Sequence, residues 1–281
     1  MRRVLVVIVV LASVSLLAEP VGARAPTVPL PAVIAAVGDS ITAATDVGWC
    51  CVDPSGGNPD QSWATGTDPA VESQRLRLDA QRQARGLAPV TAVNLSRPGA
   101  DSGDLDGQLT AATRAGPGGV AVDYVMVLIG GNDLCVASAD AMTSPPVFRQ
   151  RIRNAFARFF ARAPRARMLV ASIPDIYRLW TTARGAFLAQ PIWDLFHVCP
   201  SMLASSRTEA ERQAVVARET ALNRILATEC ARQRRCRWDG GSLSRAEFTA
   251  GDVSPVDHYH PSVAGQRLIA RITTAVSYWP K

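Results

Sequence analysis

Features that would indicate a membrane protein, a nucleic-acid-binding protein or a zinc protein are missing from most of this sequence. After the first 25 residues, no apolar run approaches the length needed to cross a bilayer. No CxxC pair is present, which counts against a zinc site, and no segment resembles a nucleic-acid-binding module. Lysine occurs once, as Lys281, and the other basic residues are arginines. This composition is typical of a GC-rich bacterial genome.

The sequence begins with the three parts of a secretory signal peptide. Met1–Arg3 is a short basic start, residues 4–17 form an apolar run, and residues 23–25 read Ala-Arg-Ala, an A-x-A cleavage site. The apolar run is short for a membrane span, and an uncleaved membrane anchor is the alternative reading. We predict that residues 1–25 are removed and that residues 26–281 form one domain of a secreted protein, long enough to bury a substantial core.

An even number of cysteines in an exported chain favours disulfides. The six cysteines are Cys50, Cys51, Cys135, Cys199, Cys230 and Cys236. The sequence does not decide among the pairings. Cys230–Cys236 would close a short loop after a helix, and Cys135–Cys199 is the next candidate. This leaves Cys50–Cys51 as a vicinal pair, which would be strained.

Short apolar runs alternate with longer stretches of helical periodicity. Continuous apolar runs are typical of strands that are covered on both faces. The candidate strands are residues 32–37, 90–95, 124–129 and 168–172, with a weaker one at 237–239. This alternation predicts a three-layer α/β/α sandwich around a mainly parallel sheet of five strands.

Helix boundaries are marked by capping residues. Asp68-Pro69 predicts the start of a helix that runs to about Arg85. Thr208 and Glu211 form a capping box, and Ser262 is the expected cap of the last helix. Between these helices, two segments are predicted to be long irregular loops, residues 46–68 and the aromatic-rich residues 175–207.

Polar signatures follow the candidate strands or lie in a late loop. In an open α/β sheet, ligands bind at the carboxyl ends of the strands. The signatures are Gly-Asp-Ser at 38–40, Asn-Leu-Ser-Arg-Pro-Gly at 94–99, Gly-Gly-Asn-Asp at 130–133 and Asp-His-Tyr-His-Pro at 257–261. Each signature alone is weak evidence for a functional site, but the four in this order are strong evidence.

Together these four blocks resemble the SGNH branch of the GDSL hydrolase superfamily, across essentially the whole chain after residue 25. The stretch 128–135 resembles the third block of phospholipase-B-like members. Three positions depart from the family pattern. Ile41 replaces the usual leucine, Asp101 follows the second-block glycine region where small hydroxyl residues are common, and His258 adds a second histidine to the last block.

The resemblance implies a serine hydrolase that uses no cofactor and no metal. Ser40 would attack an acyl carbonyl, His260 would take its proton, and Asp257 would orient the imidazole. The Ser40 N–H, the Gly99 N–H and the Asn132 amide would bind the oxyanion. Unlike the α/β-hydrolases, the chain has no G-x-S-x-G elbow. With His260 as the base, activity is expected to rise through roughly pH 6–7.

Each of these assignments has a structural alternative. Ser40 can be a helix N-cap, and Asn132 can be a turn residue. His258 can be the base instead of His260, and a backbone carbonyl can replace Asp257 as its partner. His197 is read as structural or exposed. The carboxylates that follow Gly38 and Asn132 in their blocks, Asp39 and Asp133, are expected to hold loops.

The expected substrate is a small-molecule or lipid ester. The apolar and aromatic loops favour lipid-like acyl chains, with transient contact to lipid surfaces, and we expect a monomer without a nucleic-acid partner. Acetylated polysaccharides are an open alternative substrate. A rival hypothesis is a metal-dependent phosphoesterase, and a third is a catalytically silent binding protein. The candidate metal ligands of the rival hypothesis are Asp39, Asn132, Asp257, His258 and His260.

Overall fold

The computed structural model describes residues 28–48 and 56–280. The predicted signal peptide and the Cys50–Cys51 pair therefore lie outside the described residues. Within the described part of the chain, no helix combines the length and the apolar character that a membrane crossing requires.

A five-stranded parallel sheet forms the centre of the fold, in the order β2-β1-β3-β4-β5. Every strand coincides with a predicted one to within two residues, so the predicted fold class is confirmed. The strands are β1 Val33–Gly38, β2 Thr91–Asn94, β3 Tyr124–Leu128, β4 Arg167–Val170 and β5 Cys236–Trp238. Because all five run in parallel, their carboxyl ends lie along one edge of the sheet.

Helices cover both faces of the sheet and also fill the connections at its carboxyl edge. Their bounds are α1 Ser40–Ala43, α2 Gln74–Gln83, α3 Leu105–Ala112, α4 Gly131–Leu134, α5 Pro145–Arg162, α6 Ile176–Ala183, α7 Ala189–Phe196, α8 Pro200–Leu203, α9 Glu209–Ala231 and α10 Val263–Ala275. The capping box of Thr208 and Glu211 at α9 and the Ser262 cap at α10 are confirmed.

Alternate residues of the three central strands, β1, β3 and β4, enter two separate cores. In β3, Val125 and Val127 pack toward the layer of α3, α5 and α9, whereas Tyr124, Met126 and Leu128 pack toward α2 and α10. Because successive strand side chains point to opposite faces, a strand that is apolar throughout must be covered on both sides. The three-layer architecture follows from this.

The helix predicted to start at Asp68-Pro69 begins later. Ser73 is the N-cap of α2, and its Oγ accepts the Leu76 N–H at 3.2 Å. Asp68 Oδ1 instead accepts the Ala70 N–H at 2.8 Å, within a turn. The prediction was wrong because an Asx turn and a helix N-cap use the same aspartate–backbone hydrogen bond.

The segment 175–207 is not the irregular loop that was predicted. It contains α6, α7 and α8, separated by residues with positive φ: Leu188 at 71°, His197 at 53° and Cys199 at 43°. These three breaks keep each helix to eight residues or fewer, so no run of helical periodicity is long enough to be recognised in the sequence.

Two disulfides lie among the described residues, and both are pairings considered from the sequence. Cys230–Cys236 joins the end of α9 to β5, which closes a short loop. Cys135–Cys199 joins the end of α4 to the start of α8. The second disulfide therefore ties the segment after β3 to the short helices at the carboxyl edge of the sheet.

Candidate active site

Ser40 begins α1 directly after β1, at the carboxyl edge of the sheet. Asp39, not Ser40, is the N-cap of this helix, because Asp39 Oδ1 accepts the Ile41 N–H at 3.0 Å. The alternative reading of Ser40 as the cap is therefore wrong. Gly38 allows the tight approach before the serine: its φ is +141°, and a Cβ there would lie 1.9 Å from the Leu128 carbonyl oxygen. The backbone thus places Ser40 at the sheet edge, and its hydroxyl is not used to cap the helix.

Asp257 and His260 belong to one tightly hydrogen-bonded loop before α10. Asp257 Oδ1 accepts the N–H groups of Tyr259 and His260, each at 3.0 Å. The Asp257 carbonyl accepts the Trp193 indole N–H at 3.0 Å, and Ser254 N–H donates to the His260 carbonyl at 2.7 Å. The loop therefore fixes both the carboxylate and the imidazole before any ligand binds.

The three side chains form one continuous hydrogen-bonded row. His260 Nε2 lies 2.8 Å from Ser40 Oγ, and His260 Nδ1 lies 2.5 Å from Asp257 Oδ2. A carboxylate can only accept, so Nδ1 carries the proton toward Asp257 and Nε2 is left to accept from Ser40. This is the arrangement in which an imidazole can take the proton of a serine hydroxyl.

Opposing effects set the protonation of this row. Burial, the largest effect, lowers the pKa of His260, but the Asp257 carboxylate and its hydrogen bond together with the nearby charges raise that pKa above its ordinary value. For Asp257, burial alone would raise the pKa, and the contacts with His260 outweigh it and lower the pKa. The pair therefore favours imidazolium beside carboxylate, which is the charge distribution that forms when Ser40 loses its proton.

Asp46 is a second carboxylate beside the imidazole, and the sequence analysis did not identify it as a site residue. Its Oδ2 lies 3.9 Å from His260 Nδ1. The Asp46 φ is 50°, and its carbonyl accepts a hydrogen bond from Ser254 Oγ. Burial and the Asp257 charge raise the pKa of Asp46. No motif marks this residue, because it reaches the site through a left-handed turn after α1.

Gly99 and Asn132 line the same cleft as Ser40, which has a volume of about 490 Å³. Asn132 Nδ2 donates to the Ala100 carbonyl at 2.9 Å, and since an amide nitrogen carries two protons, one stays available toward the cleft. Gly99 has φ +78°, and a Cβ there would meet no described atom within 4 Å. Glycine is thus favoured here by its backbone conformation and not by crowding within the protein.

Comparison with known proteins identifies the family to which the chain belongs. A sequence profile of the GDSL-like Lipase/Acylhydrolase family matches residues 36–268. The chain belongs to this family. It is accordingly a carboxylic ester hydrolase, and the resemblance stated from its four blocks is confirmed.

Individual relatives of this hydrolase are distant. Mouse "Phospholipase B1, membrane-associated" is 26% identical over 208 residues, a stretch that covers 66% of this chain and 14% of the mouse protein. Phospholipase A1 from Streptomyces albidoflavus NA297 is 18% identical with a TM-score of 0.52, covering 88% of this chain and 100% of that one. A carbohydrate esterase family 2 enzyme from Corynascus is 16% identical with a TM-score of 0.50, over 88% and 66% of the two chains. At these identities the two structures show the shared fold alone.

The aspartates beside the site residues of the hydrolase are structural supports. Asp133 accepts both the Ser102 N–H, at 2.9 Å, and the Ser102 hydroxyl, at 2.6 Å. This buried carboxylate therefore ties the loop that carries Gly99 to the loop that carries Asn132. Burial raises the pKa of Asp39 to about 7, and Asp39 Oδ2 has no hydrogen-bond partner among the described residues.

The remaining histidines lie apart from the hydrogen-bonded row. His258 has φ 54°, donates its N–H to the Ser254 carbonyl at 3.0 Å, and does not line the cleft. Of the three histidines, all of which the structure describes, His260 alone is hydrogen-bonded to Ser40, so the arrangement favours it over His258 as the base. His197 is exposed, as expected, but it lies at the rim of the cleft, which the sequence did not indicate.

The five metal ligands of the phosphoesterase hypothesis do not come together as a set. Among the described residues, the group with metal-ligand spacing is Asp46, Asp257 and His260, whose ligand atoms lie within 4.8 Å of one another. Asp39 and His258 are not in this group. His260 Nδ1 is also already hydrogen-bonded to Asp257. The donor set that remains is two carboxylates and one imidazole.

Proposed function

We propose that this hydrolase is a secreted serine esterase or lipase that cleaves carboxylic esters with lipid-like acyl chains through an acyl-enzyme on Ser40. The observation that carries the proposal is the row from Ser40 Oγ through His260 to Asp257, with separations of 2.8 and 2.5 Å. The predicted leader and the two disulfides support secretion, since disulfides persist in oxidising compartments.

In the proposed reaction, Ser40 Oγ attacks the ester carbonyl carbon while His260 Nε2 takes the hydroxyl proton. The imidazolium then gives this proton to the leaving alkoxide, which departs as an alcohol and leaves the acyl group on Ser40. Water attacks the acyl-enzyme with His260 again as base, and the acid is released. Asp257 stays ionised throughout and stabilises the imidazolium.

The negative oxygen of the tetrahedral intermediate needs donors on the side of the cleft opposite His260. We propose the Ser40 N–H, the Gly99 N–H and the second Asn132 Nδ2 proton. The hydrogen bond from Asn132 to the Ala100 carbonyl holds the amide in place before the substrate arrives. Preorganised donors of this kind contribute more than mobile ones, because no reorganisation is needed during the reaction.

The walls of the cleft support an apolar acyl group. Ile192, Phe196, Val198 and Val256 line it together with the site residues. Apolar walls with a few convergent polar groups are typical of pockets that bind small apolar ligands. Of the three similar proteins described above, two are phospholipases by name and one is a carbohydrate esterase, so this comparison does not choose between lipid and carbohydrate esters. The apolar walls of the cleft favour the lipid-like ester.

A screen of p-nitrophenyl esters from acetate to palmitate, together with a phospholipid and an acetylated xylan, tests the proposal. We expect turnover of the p-nitrophenyl esters, with longer acyl chains preferred over acetate. The group Asp46, Asp257 and His260 makes a metal-dependent phosphoesterase the second candidate, so p-nitrophenyl phosphate belongs in the screen. Loss of activity in EDTA, or cleavage of the phosphate ester alone, would favour this second candidate over ours.

The pH dependence of kcat/KM should show the effect of the Asp46 charge on the pKa of His260. His260 acts as a base only when neutral, and its pKa is raised, so activity should rise with pH through a value above the ordinary 6.5 of histidine. Asp46→Asn removes a negative charge 3.9 Å from Nδ1, which lowers the pKa of His260. The rising limb should therefore move to lower pH.

The control for this shift is Asp140→Asn, which removes an exposed carboxylate that does not line the cleft. Its rising limb should coincide with that of the wild type. An unchanged limb in Asp46→Asn, or an equal shift in both variants, would show that Asp46 does not set the protonation of His260.

A further inference from the structure

The apolar side of helix α7 is wider than the part that the protein covers. With successive residues 100° apart, Leu188, Ile192, Leu195 and Phe196 form one continuous apolar arc, and Ala189 and Trp193 extend it. Ala189 and Trp193 are buried, whereas the first part of the arc is not. An amphipathic helix normally buries its whole apolar face. In α7, the described residues cover only part of that face and leave the rest exposed to solvent.

Four large apolar side chains at this helix are exposed to solvent, and we call them the α7 patch. The exposed fractions are 88% for Phe187, 50% for Leu188, 71% for Leu195 and 69% for Phe196. Together they present on the order of 500 Å² of apolar surface. This is at the upper end of what a monomer exposes in one place and is typical of an interaction site.

The patch is continuous with the candidate active site. Phe196 and Ile192 line the cleft that contains Ser40 and His260. At the buried end of the same arc, the Trp193 indole donates to the Asp257 carbonyl at 3.0 Å. The helix is therefore anchored to the loop of the base, and a surface that contacts the α7 patch lies next to the entrance of the cleft.

We propose that the α7 patch inserts into the surface of a phospholipid bilayer and thereby presents the cleft to ester substrates in that surface. The proposal rests on the function proposed above. A bilayer fits better than a second copy of the chain, because the patch adjoins the cleft that contains Ser40, and a copy packed against it would cover the route by which ester substrates enter. The exposed Arg184, three residues before Phe187, and the net charge of +4 that remains after residues 1–25 favour a bilayer that contains anionic lipid.

Vesicle sedimentation tests the proposal without relying on turnover. In a Ser40→Ala background, which prevents hydrolysis, the protein should pellet with phosphatidylcholine vesicles, and more strongly when they contain phosphatidylglycerol. Adding Phe187→Ser and Leu195→Ser should lower the partition coefficient at least tenfold. These two side chains are exposed and do not line the cleft, so in the wild-type background the same pair should leave turnover of p-nitrophenyl acetate unchanged.

The matched control is Leu87→Ser with Val120→Ser, two exposed apolar side chains elsewhere on the molecule. It should pellet like the parent protein. Equal losses in both pairs, or no loss in the patch variant, would overturn the proposal. A dimer of the parent protein that the patch variant dissociates would overturn it in favour of a second copy. Vesicle binding by a protein that hydrolyses no ester would contradict the proposed function while leaving the lipid contact standing.

Discussion

Replacing Ser40 by alanine is expected to lower kcat for p-nitrophenyl esters by about 10⁶-fold, because the nucleophile is lost and no neighbouring group can replace it. Among the described residues, Ser40 Oγ has one hydrogen-bond partner, His260 Nε2 at 2.8 Å, so the fold does not depend on this hydroxyl. The free energy of unfolding should therefore change by no more than about 1 kcal/mol. Steady-state kinetics and thermal denaturation of the same preparation measure both quantities.

Asn132→Ala provides a graded comparison for this result. It leaves the nucleophile and the base in place and removes one proposed oxyanion donor, so kcat should fall by about 10²–10³-fold with little change in KM. A Ser40→Ala enzyme that retains more than a hundredth of wild-type activity would contradict the acyl-enzyme mechanism. Equal losses in the two variants would contradict the separate roles given to Ser40 and Asn132.

Replacing Asp257 by asparagine is expected to lower kcat by about 10⁴-fold, although the two side chains have nearly the same shape. The new amide N–H would donate to His260 Nδ1, which moves the ring proton to Nε2. In this tautomer, the nitrogen that faces Ser40 can no longer accept its proton. Asparagine Oδ1 can still accept the N–H groups of Tyr259 and His260, as Asp257 Oδ1 does, so the loop should keep its conformation.

This substitution also decides between the carboxylate and a backbone carbonyl as the partner of His260. If a carbonyl orients the imidazole, Asp257→Asn should cost less than tenfold. Asp46→Asn is the matched comparison, because it removes the other carboxylate near Nδ1, at 3.9 Å instead of 2.5 Å. It should shift the pH profile and largely preserve kcat on the plateau. A larger loss from Asp46→Asn than from Asp257→Asn would reverse the two roles.

The sheet could be predicted from the sequence because a strand that is covered on both faces is apolar at every position. The runs at β1 and β3 are of this kind, and both were found to within two residues. The segments that connect the strands were harder to predict, because one sequence pattern there is compatible with more than one local structure. Asp68 makes its hydrogen bond in a turn and not at a helix cap. In 175–207, three short helices are separated by left-handed residues, so no helical period is long enough to detect.

The site residues that could be predicted from the sequence are those that lie in local motifs. The three-residue spacing of Asp257 and His260 lets one loop bring them together, and the position of Ser40 after β1 follows from the strand. Asp46 was missed because its approach to His260 depends on a turn at φ 50°, which no motif records. The α7 patch was missed for a similar reason, since its exposure depends on which half of the helix the core covers.

The most direct test of the central claim is to identify the atom that reacts with an ester-like phosphonate. A p-nitrophenyl alkylphosphonate should release one equivalent of nitrophenol, inactivate the enzyme and leave its phosphonyl group on Ser40, as mapped by mass spectrometry of peptides. The reaction should be much slower in Asp257→Asn, since the hydroxyl then lacks an accepting imidazole. An adduct on another residue, or full activity in protein whose Ser40 is modified, would contradict Ser40 as the nucleophile.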